Sequence, residues 1–479
     1  MSKVRTRFAP SPTGIMHVGN FRTGLFAWLY ARHCGGSFIL RFEDTDKKRE
    51  VTQAKEHILS CFNELGLRYD EGPDIGGPFG PYTQSERLDH YQQWAQKLIA
   101  KGRAYADPYS VEQVQAFRDQ ARANKQAFLY RNHRPEQPPI WDGTTPLRFK
   151  SDPKDYAWRD AVMGNLKTGP EVIDDFILIK SDGYPTYNFA HIIDDLEMEI
   201  THIMRGQEFL ASVPNYLNLY EALELTPPIL ATMPHVLAEN GTKKLSKRDG
   251  AKDVLDYIRD GYLPETLVNF IASLGWNDGT EQELFTTEEL IAKFSLEHVQ
   301  RSGARFDEKR LEWMNGANIR GLALDELYAR SQNYWPAAAA EADDNYKRQV
   351  LGLLQERLKF LAEIPHLTDF FFIDLPLDPT LITTNKQLRK YAAAELAAWL
   401  QTSRDKLAQS DFSSSNLTEH LNTLLTVTGQ KPGVLFSLIR IATTQSPASP
   451  ALADTMALLG KERCLKRIDT QVAAFSTDS

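Results

Sequence analysis

Arg7-Phe8-Ala9-Pro10-Ser11-Pro12-Thr13-Gly14, followed by His17-Val18-Gly19-Asn20, is the stretch on which the fold turns. Val4 to Ala9 reads as a short strand. Pro10 and Pro12 cannot lie inside a helix, so a loop follows. Phe21, Leu25, Trp28, Leu29 and Arg32 then recur at helical spacing, and Gly35-Gly36 supplies the stop. Ser37 to Phe42 is the next strand. A second helix carries Ala54, Ile58, Cys61, Phe62 and Leu65 on one face and ends near Gly66. This alternation predicts parallel strands joined by crossover helices. A strand that runs through a glycine-containing loop into a helix start suits a phosphate. Free N–H groups face the anion, glycine lets it approach the backbone, and the His17 imidazole can donate to an oxygen.

The 479 residues exceed one ordinary core, and at about 150 residues per domain they suggest about three. Apolar residues make up 42% and charged residues 25%, which excludes a fibrous or largely disordered chain. No signal-like run opens the sequence, and no window approaches the roughly 18 apolar residues of a membrane span. A cytoplasmic protein without membrane contact is expected. Cys34, Cys61 and Cys464 are too few and too scattered for a disulfide framework or a four-cysteine zinc site. The net charge of −8 confines any nucleic-acid surface to a local patch.

Further along, Asp70 to Thr83 is irregular, and Ser85 is expected to cap a helix that turns Leu88, Tyr91, Trp94, Ala95 and Leu98 inward. The stretch from Asp107 to Asp182 reads as an insertion between sheet strands. Thr201 to Met204 resumes a strand, Ser212 to Leu225 a helix, and Asn240-Gly241 a turn before a basic stretch. Beyond Gly250 helical periodicity dominates, as over Leu263 to Leu274 and Val350 to Leu361. Ser410 to Ser415 reads as a linker. Leu452 to Ile468 reads as one last helix with Lys461, Arg463, Lys466 and Arg467 near its end, where the dipole favours cations.

Lys244-Leu245-Ser246-Lys247-Arg248 taken alone is compatible with a solvated basic loop. Displacement at phosphorus, however, needs cations and donors on its oxygens, so this loop and the His17 loop explain each other. Together they resemble the two signatures of the class I aminoacyl-tRNA synthetases, glutamyl/glutaminyl subfamily, in the bacterial glutamyl form. Arg41-Phe42-Glu43-Asp44-Thr45-Asp46, the run from Gly183 to Ala190, Ile203-Met204-Arg205-Gly206 and the segment from Gly261 to Trp276 match as well. The resemblance implies an α/β fold: a Rossmann-type parallel-sheet catalytic domain with an α+β insertion, then a stem-contact domain and an all-α anticodon-binding region. The expected bounds are 1–106 and 183–250 for the two catalytic halves, 107–182 for the acceptor-end insertion, 251–320 for the stem-contact domain and 321–479 for the helical region.

It also implies that glutamate and ATP, with Mg²⁺, give glutamyl-adenylate, which passes to the terminal adenosine of tRNA for glutamate with release of AMP and diphosphate. Whether tRNA for glutamine is charged too is left open. By the resemblance, His17, Lys244 and Lys247 are catalytic. Thr13, Gly19, Asn20, Glu208 and Leu237 join them at ATP, and Arg7, Ala9, Ser11, Glu43, Tyr187, His191 and Arg205 hold glutamate. The charge types fit, since two carboxylates and an ammonium call for arginines and one acid. Arg357 and Lys359, on a tail helix, are candidates for the anticodon. Ala104 to Pro108 stands where some relatives carry zinc-binding cysteines, so no zinc or other metal site is expected. A monomer is the family expectation. The rival readings are a glutaminyl enzyme, whose anticodon region would be a β-barrel, and a non-catalytic tRNA-binding or regulatory paralogue.

Overall fold

A computed structural model describes residues 3–46, 49, 51–245 and 252–477. The chain divides into two compact units, Met1–Ile258 with Pro264–Leu311, and Arg259–Leu263 with Glu312–Ser479.

In the first unit β1 (Arg5–Phe8), α1 (Val18–His33), β2 (Ser37–Leu40) and α2 (Ala54–Glu64) follow the expected alternation. β1 and β2 are parallel, in register from Arg5 against Ser37 to Phe8 against Leu40. Phe21, Leu25 and Leu29 of α1 are fully buried. Gly24 lets α1 lie close on β1, because a Cβ there would sit 3.0 Å from the Phe8 ring. Gly36 is tighter still. Its Cβ would lie 2.3 Å from the Val4 carbonyl oxygen, a backbone atom that cannot swing away.

α3 (Leu88–Ala100) buries Tyr91, Ala95 and Leu98 as the periodicity requires, but its N-cap is Arg87 and not Ser85. Ser85 instead donates its N–H and its hydroxyl to the two oxygens of Asp44, each at 2.8 Å. A carboxylate within reach is a better acceptor for that hydroxyl than for it to serve a helix start.

Next in the chain come β3 (Ala104–Ala106), α4 (Val111–Ala123), β4 (Leu147–Phe149), β5 (Tyr156–Asp160), β6 (Gly164–Thr168) and β7 (Ile177–Ile179). β3, β4 and β7 form an antiparallel sheet, while β5 and β6 pair as a hairpin. Asp107 receives Arg148 Nε at 2.6 Å and the Tyr130 hydroxyl. Asp175 receives Tyr105, Ser151 and Arg134.

α5 (Tyr187–Glu197), β8 (His202–Gly206), α6 (Val213–Ala222), β9 (Ile229–Met233) and β10 (Val236–Leu237) follow. β8 is parallel to β9, and it joins β1 through Thr201, whose N–H donates to Arg5 O at 2.9 Å. β2, β1, β8 and β9 therefore lie side by side, and β1 and β8 end at one crevice, the usual ligand position in such sheets. α7 (Val254–Arg259), α8 (Pro264–Ala272), α9 (Thr287–Lys293) and β11 (Ala304–Arg305) complete this part, with β11 parallel to β10.

Among its described residues the second unit is helical: α10 (Glu308–Gly321, from Glu312 onward), α11 (Leu324–Arg330), α12 (Asp344–Leu354), α13 (Ile364–Phe372), α14 (Thr380–Thr383), α15 (Ala393–Leu407), α16 (Ser414–Thr428), α17 (Pro432–Thr444), α18 (Leu452–Leu459) and α19 (Lys461–Thr477). Leu351, Leu400, Leu435, Leu438 and Ile468 sit in its core. Four expectations change here. The pattern from Val350 to Leu361 is not one helix, because α12 ends at Leu354 and the Glu363 carboxylate accepts the Lys359 N–H at 2.7 Å. Arg357 and Lys359 consequently lie in the turn after α12, not on a helix. Leu452 to Ile468 is broken at Gly460, where φ is +85°, so its basic residues open α19 instead of ending a helix. Specific partners override the dipole: Arg467 reaches Asp374 at 2.9 Å and the carbonyls of Phe370, Ile373 and Thr443. Ser410 to Ser415 is a tight corner between α15 and α16, with Ser410 and Phe412 buried and Ser410 Oγ donating to Asn416 at 2.7 Å.

Replacing Gly36 with Ala is expected to cost about 1–3 kcal/mol of stability through overpacking, read as a lower denaturant midpoint.

Candidate active site

A cleft of about 780 Å³ opens where β1 and β8 end. Arg7, Ala9, Ser11, Glu43, Tyr187 and Arg205 line one part of its wall. Thr13, His17, Gly19, Asn20, Glu208 and Lys244 line another part. Residues nearly 240 positions apart in sequence thus share one cavity. His191 stands behind Arg205 and off the wall, its Nδ1 3.4 Å from Arg205 Nη2. Leu237 is also off the wall; it forms the bridge that holds Lys244. Lys247, with Ser246 and Arg248, lies outside the described residues. Arg357 and Lys359 belong to the second unit, where Lys359 Nζ reaches Glu312 at 2.8 Å and Arg357 donates to the Ser449 carbonyl.

Three arginines, Arg7, Arg22 and Arg205, line the cleft, and Arg7 and Arg205 differ in how they are held. Arg7 forks onto Asp195, with Nε and Nη2 at 3.0 and 3.1 Å from its oxygens, and Nη1 donates to Met204 O. Arg41, wholly buried, adds Nη1 to the same carboxylate at 2.9 Å and Nη2 to Glu43 at 3.0 Å. Burial alone would raise Asp195, but Arg7 and Arg41 outweigh it and hold its carboxyl well below the usual range. For Glu43 burial wins over Arg41 and Arg7, and its pKa is raised.

Arg205, by contrast, is buried with Nε and Nη1 lacking any hydrogen-bond partner. Rings surround it: its guanidinium carbon lies 5.2 Å from the Tyr216 centroid and 5.7 Å from that of Phe209. Tyr187 stacks at a tilt on Phe209, with centroids 5.2 Å apart. Burial, then the charge of Arg205, pushes His191 down to about 3, so its imidazole is neutral at ordinary pH and can accept from Arg205. Burial raises the Tyr187 phenol, which stays a neutral donor.

Across the cleft no side chain caps the start of α1, and Gly19 and Asn20 of its first turn line the cavity, with the Asn20 N–H donating to His17 O at 3.0 Å. Glu208 takes Lys244 Nζ at 3.0 Å, and His235 lies 3.7 Å from its other oxygen. Burial would raise Glu208, but its backbone N–H and then Lys244 hold the carboxyl below the usual range. Arg22, on the buried face of α1, donates to the carbonyls of Leu274 and Pro234, and burial brings it down to about 10. The arrangement offers a dry guanidinium at one end and an anion-accepting helix start with a lysine at the other.

Residues 3–313 match the model for tRNA synthetases class I (E and Q), catalytic domain, and residues 326–472 match an anticodon binding domain. The chain belongs to the class I tRNA synthetases of the E and Q group. A glutamate–tRNA ligase of Dehalococcoides mccartyi is 41% identical, with 99% of this chain and 98% of the relative covered. One of Clostridium botulinum is also 41% identical, over 98% of this chain and 97% of the relative. Among solved structures, a glutamate tRNA ligase from Elizabethkingia meningosepticum in complex with its amino acid aligns with a TM-score of 0.87 at 31% identity, covering 99% of this chain and all of that one. The α/β first unit and helical second unit agree with the fold expected of this group.

Sequence reasoning missed Asp195, Arg22, Phe209 and Tyr216. Asp194-Asp195 did carry a signal, being two consecutive acids in a helix otherwise rich in Phe, Ile and Leu. Arg22 in an apolar helix was another.

Asp195→Ala strands Arg7 and Arg41 together and is expected to cost about 3–5 kcal/mol, seen as a fall in the first thermal unfolding transition. His191 has its folded pKa, about 3, below its unfolded value of 6.5. Its contribution to stability is therefore complete above pH 6.5 and is lost as pH falls toward 3. At pH 5 the loss is about 2 kcal/mol. In His191→Asn the drop in melting temperature between pH 7 and pH 5 should shrink accordingly.

Proposed function

We propose that this chain is a glutamate–tRNA ligase. The observation that carries the reading is the buried, unpartnered face of Arg205 in the same cleft as His17, the open start of α1 and Lys244. The named relatives support it across nearly the whole chain. The helical second unit speaks against a glutaminyl enzyme with its β-barrel.

The side-chain carboxylate of glutamate takes the free nitrogens of Arg205, with Tyr187 as a neutral donor. Arg7 adds positive field from its ion pair, and Glu43, backed by Arg41, receives the ammonium; Ala9 and Ser11 shape the loop around it. His191 accepts from Arg205 and fixes its plane. ATP, as its Mg²⁺ complex, places phosphates at Thr13, His17, Gly19 and Asn20, with its nucleoside toward Glu208 and the Leu237 strand. The α-carboxylate oxygen of glutamate attacks the α-phosphorus, and the bond to the diphosphate breaks. Charge leaving with diphosphate is met by His17, Lys244 and Lys247. A ribose hydroxyl of the terminal adenosine of tRNA then attacks the acyl carbon, releasing AMP. Neither step uses a protein nucleophile, so positioning and charge supply the acceleration.

This reading keeps the domain bounds 1–106, 107–182, 183–250, 251–320 and 321–479, although β3 pairs with β4 across the first of them, and it takes the chain as a cytoplasmic monomer. Within 107–182, Asp107 pairs with Arg148 and Asp175 with Arg134, and no zinc is proposed there. Arg357 and Lys359 are proposed to meet the anticodon of tRNA for glutamate; acceptance of tRNA for glutamine would rest on the same region.

Glutamate-dependent exchange of labelled diphosphate into ATP, with and without tRNA, tests the assignment: exchange is expected, and its absence in every condition would favour the non-catalytic paralogue. Lys247→Ala should lower exchange turnover with glutamate affinity little changed. Arg205→Ala should lower kcat/KM for glutamate roughly a hundredfold, about 3 kcal/mol, mostly through KM.

A further inference from the structure

Away from the cleft wall proposed to hold substrates, α2 carries His57 and Cys61 four residues apart, on one face of the helix. The segment leading into α7 brings Asp253 to them. His57 Nε2 lies 2.9 Å from Asp253 Oδ2 and 3.6 Å from Cys61 Sγ. One ligand atom from each lies within 4.8 Å of the others. Cys61 is fully buried and Asp253 nearly so, while the His57 side chain keeps 21% of its surface. Asp253 Oδ1 is committed to the Leu255 N–H at 2.9 Å, which aims Oδ2 at the imidazole.

We infer that His57 Nε2, Cys61 Sγ and Asp253 Oδ2 form a binding site for one divalent transition ion of the zinc class. The donor set of imidazole, thiolate and carboxylate suits such an ion and not magnesium or calcium, which take oxygen. Bond lengths of zinc to these donors put neighbouring ligand atoms about 3.4–3.7 Å apart in a tetrahedron. The His57–Cys61 separation of 3.6 Å lies in that range and the His57–Asp253 separation of 2.9 Å just below it, so small side-chain shifts close the site. Three protein ligands leave a fourth position on the half-open His57 side for water.

The local polar contacts favour a cation as well. Met16 N–H points at Nε2 from 3.3 Å and asks for a lone pair, while the carboxylate at 2.9 Å asks for a proton on the same atom. The two demands conflict. An ion bound to Nε2 and Oδ2 answers the carboxylate and the lone pair together, and releases only the longer contact, that of Met16. A thiol must lose its proton to serve as a ligand. Ion binding exchanges that proton for the metal–sulfur bond and delivers it to solvent, and affinity rises with pH.

Location gives the site meaning. Asp253 forms a backbone bridge with His17, and Val254 N–H donates to Met16 O at 3.0 Å. Asp253 also follows Lys244 to Arg248 in sequence. An ion here would tie α2 to the junction of the two nucleotide-contacting segments. The inference departs from the sequence expectation of no metal. The signal available was His57-x₃-Cys61, whose third ligand lies 192 residues on.

The test uses the full chain, freed of metal by a chelator and kept reduced, titrated with Co²⁺. A sulfur-to-cobalt charge-transfer band that saturates at one ion per chain, with one proton released, is the expected result. Cys61→Ser should abolish the band, and His57→Gln should weaken binding at least about tenfold. Cys34→Ser and Cys464→Ser should leave both unchanged. Circular dichroism melts without metal establish that each variant is folded. No thiolate band in the parent chain, or a band that survives in folded Cys61→Ser, would overturn the site. Diphosphate exchange by the metal-free chain reports separately on the proposed ligase function and does not depend on this outcome.

Discussion

Asp195 is the carboxylate on which the first unit depends. It receives Arg7 from β1 and Arg41 from the segment after β2, and it is itself carried by α5. Three separate pieces of chain meet on one buried anion. A charge in such surroundings is tolerated only when fully hydrogen-bonded, and here the two guanidiniums supply that bonding. The ends of the two strands are thereby held in one relation to each other. Arg7 is consumed in the process, whereas Arg205 keeps two nitrogens without a hydrogen-bond partner.

Arg205 illustrates the opposite arrangement. Phe209, Tyr216, Tyr187 and His191 enclose it with rings, and Asp195, the carboxylate whose charge it feels, is already occupied by other arginines. Neutral His191 is essential to this balance. A protonated imidazole at that position would repel the guanidinium, and burial prevents it. At the far end the uncapped start of α1 and the Glu208–Lys244 pair offer donors with fewer commitments.

Much of this was readable in the residues alone. The β1-α1-β2-α2 order follows from periodicity and the Pro10–Pro12 and Gly35–Gly36 breaks, which are local signals. Most of the cleft residues came from the resemblance to the family, and the structure gathers all but Leu237, His191 and the residues beyond description onto one wall. What stayed hidden needs tertiary partners. Ser85 could not be recognised as a ligand of Asp44, nor Glu363 as the group that ends the run after α12. Gly460 was read through because the flanking residues keep helical spacing. Asp195 was invisible as a keystone because nothing local announces that two distant arginines will converge on it.

The ring cage around Arg205 has a further implication for fidelity. A guanidinium already stripped of most of its water loses what remains when any ligand enters. A carboxylate restores the balance of charge, whereas the uncharged amide of the same length would seal the cation away uncompensated. Rejection of the near-isostere would thus arise from the dryness of the chamber and not from its size, and no separate proofreading compartment would be required for that distinction.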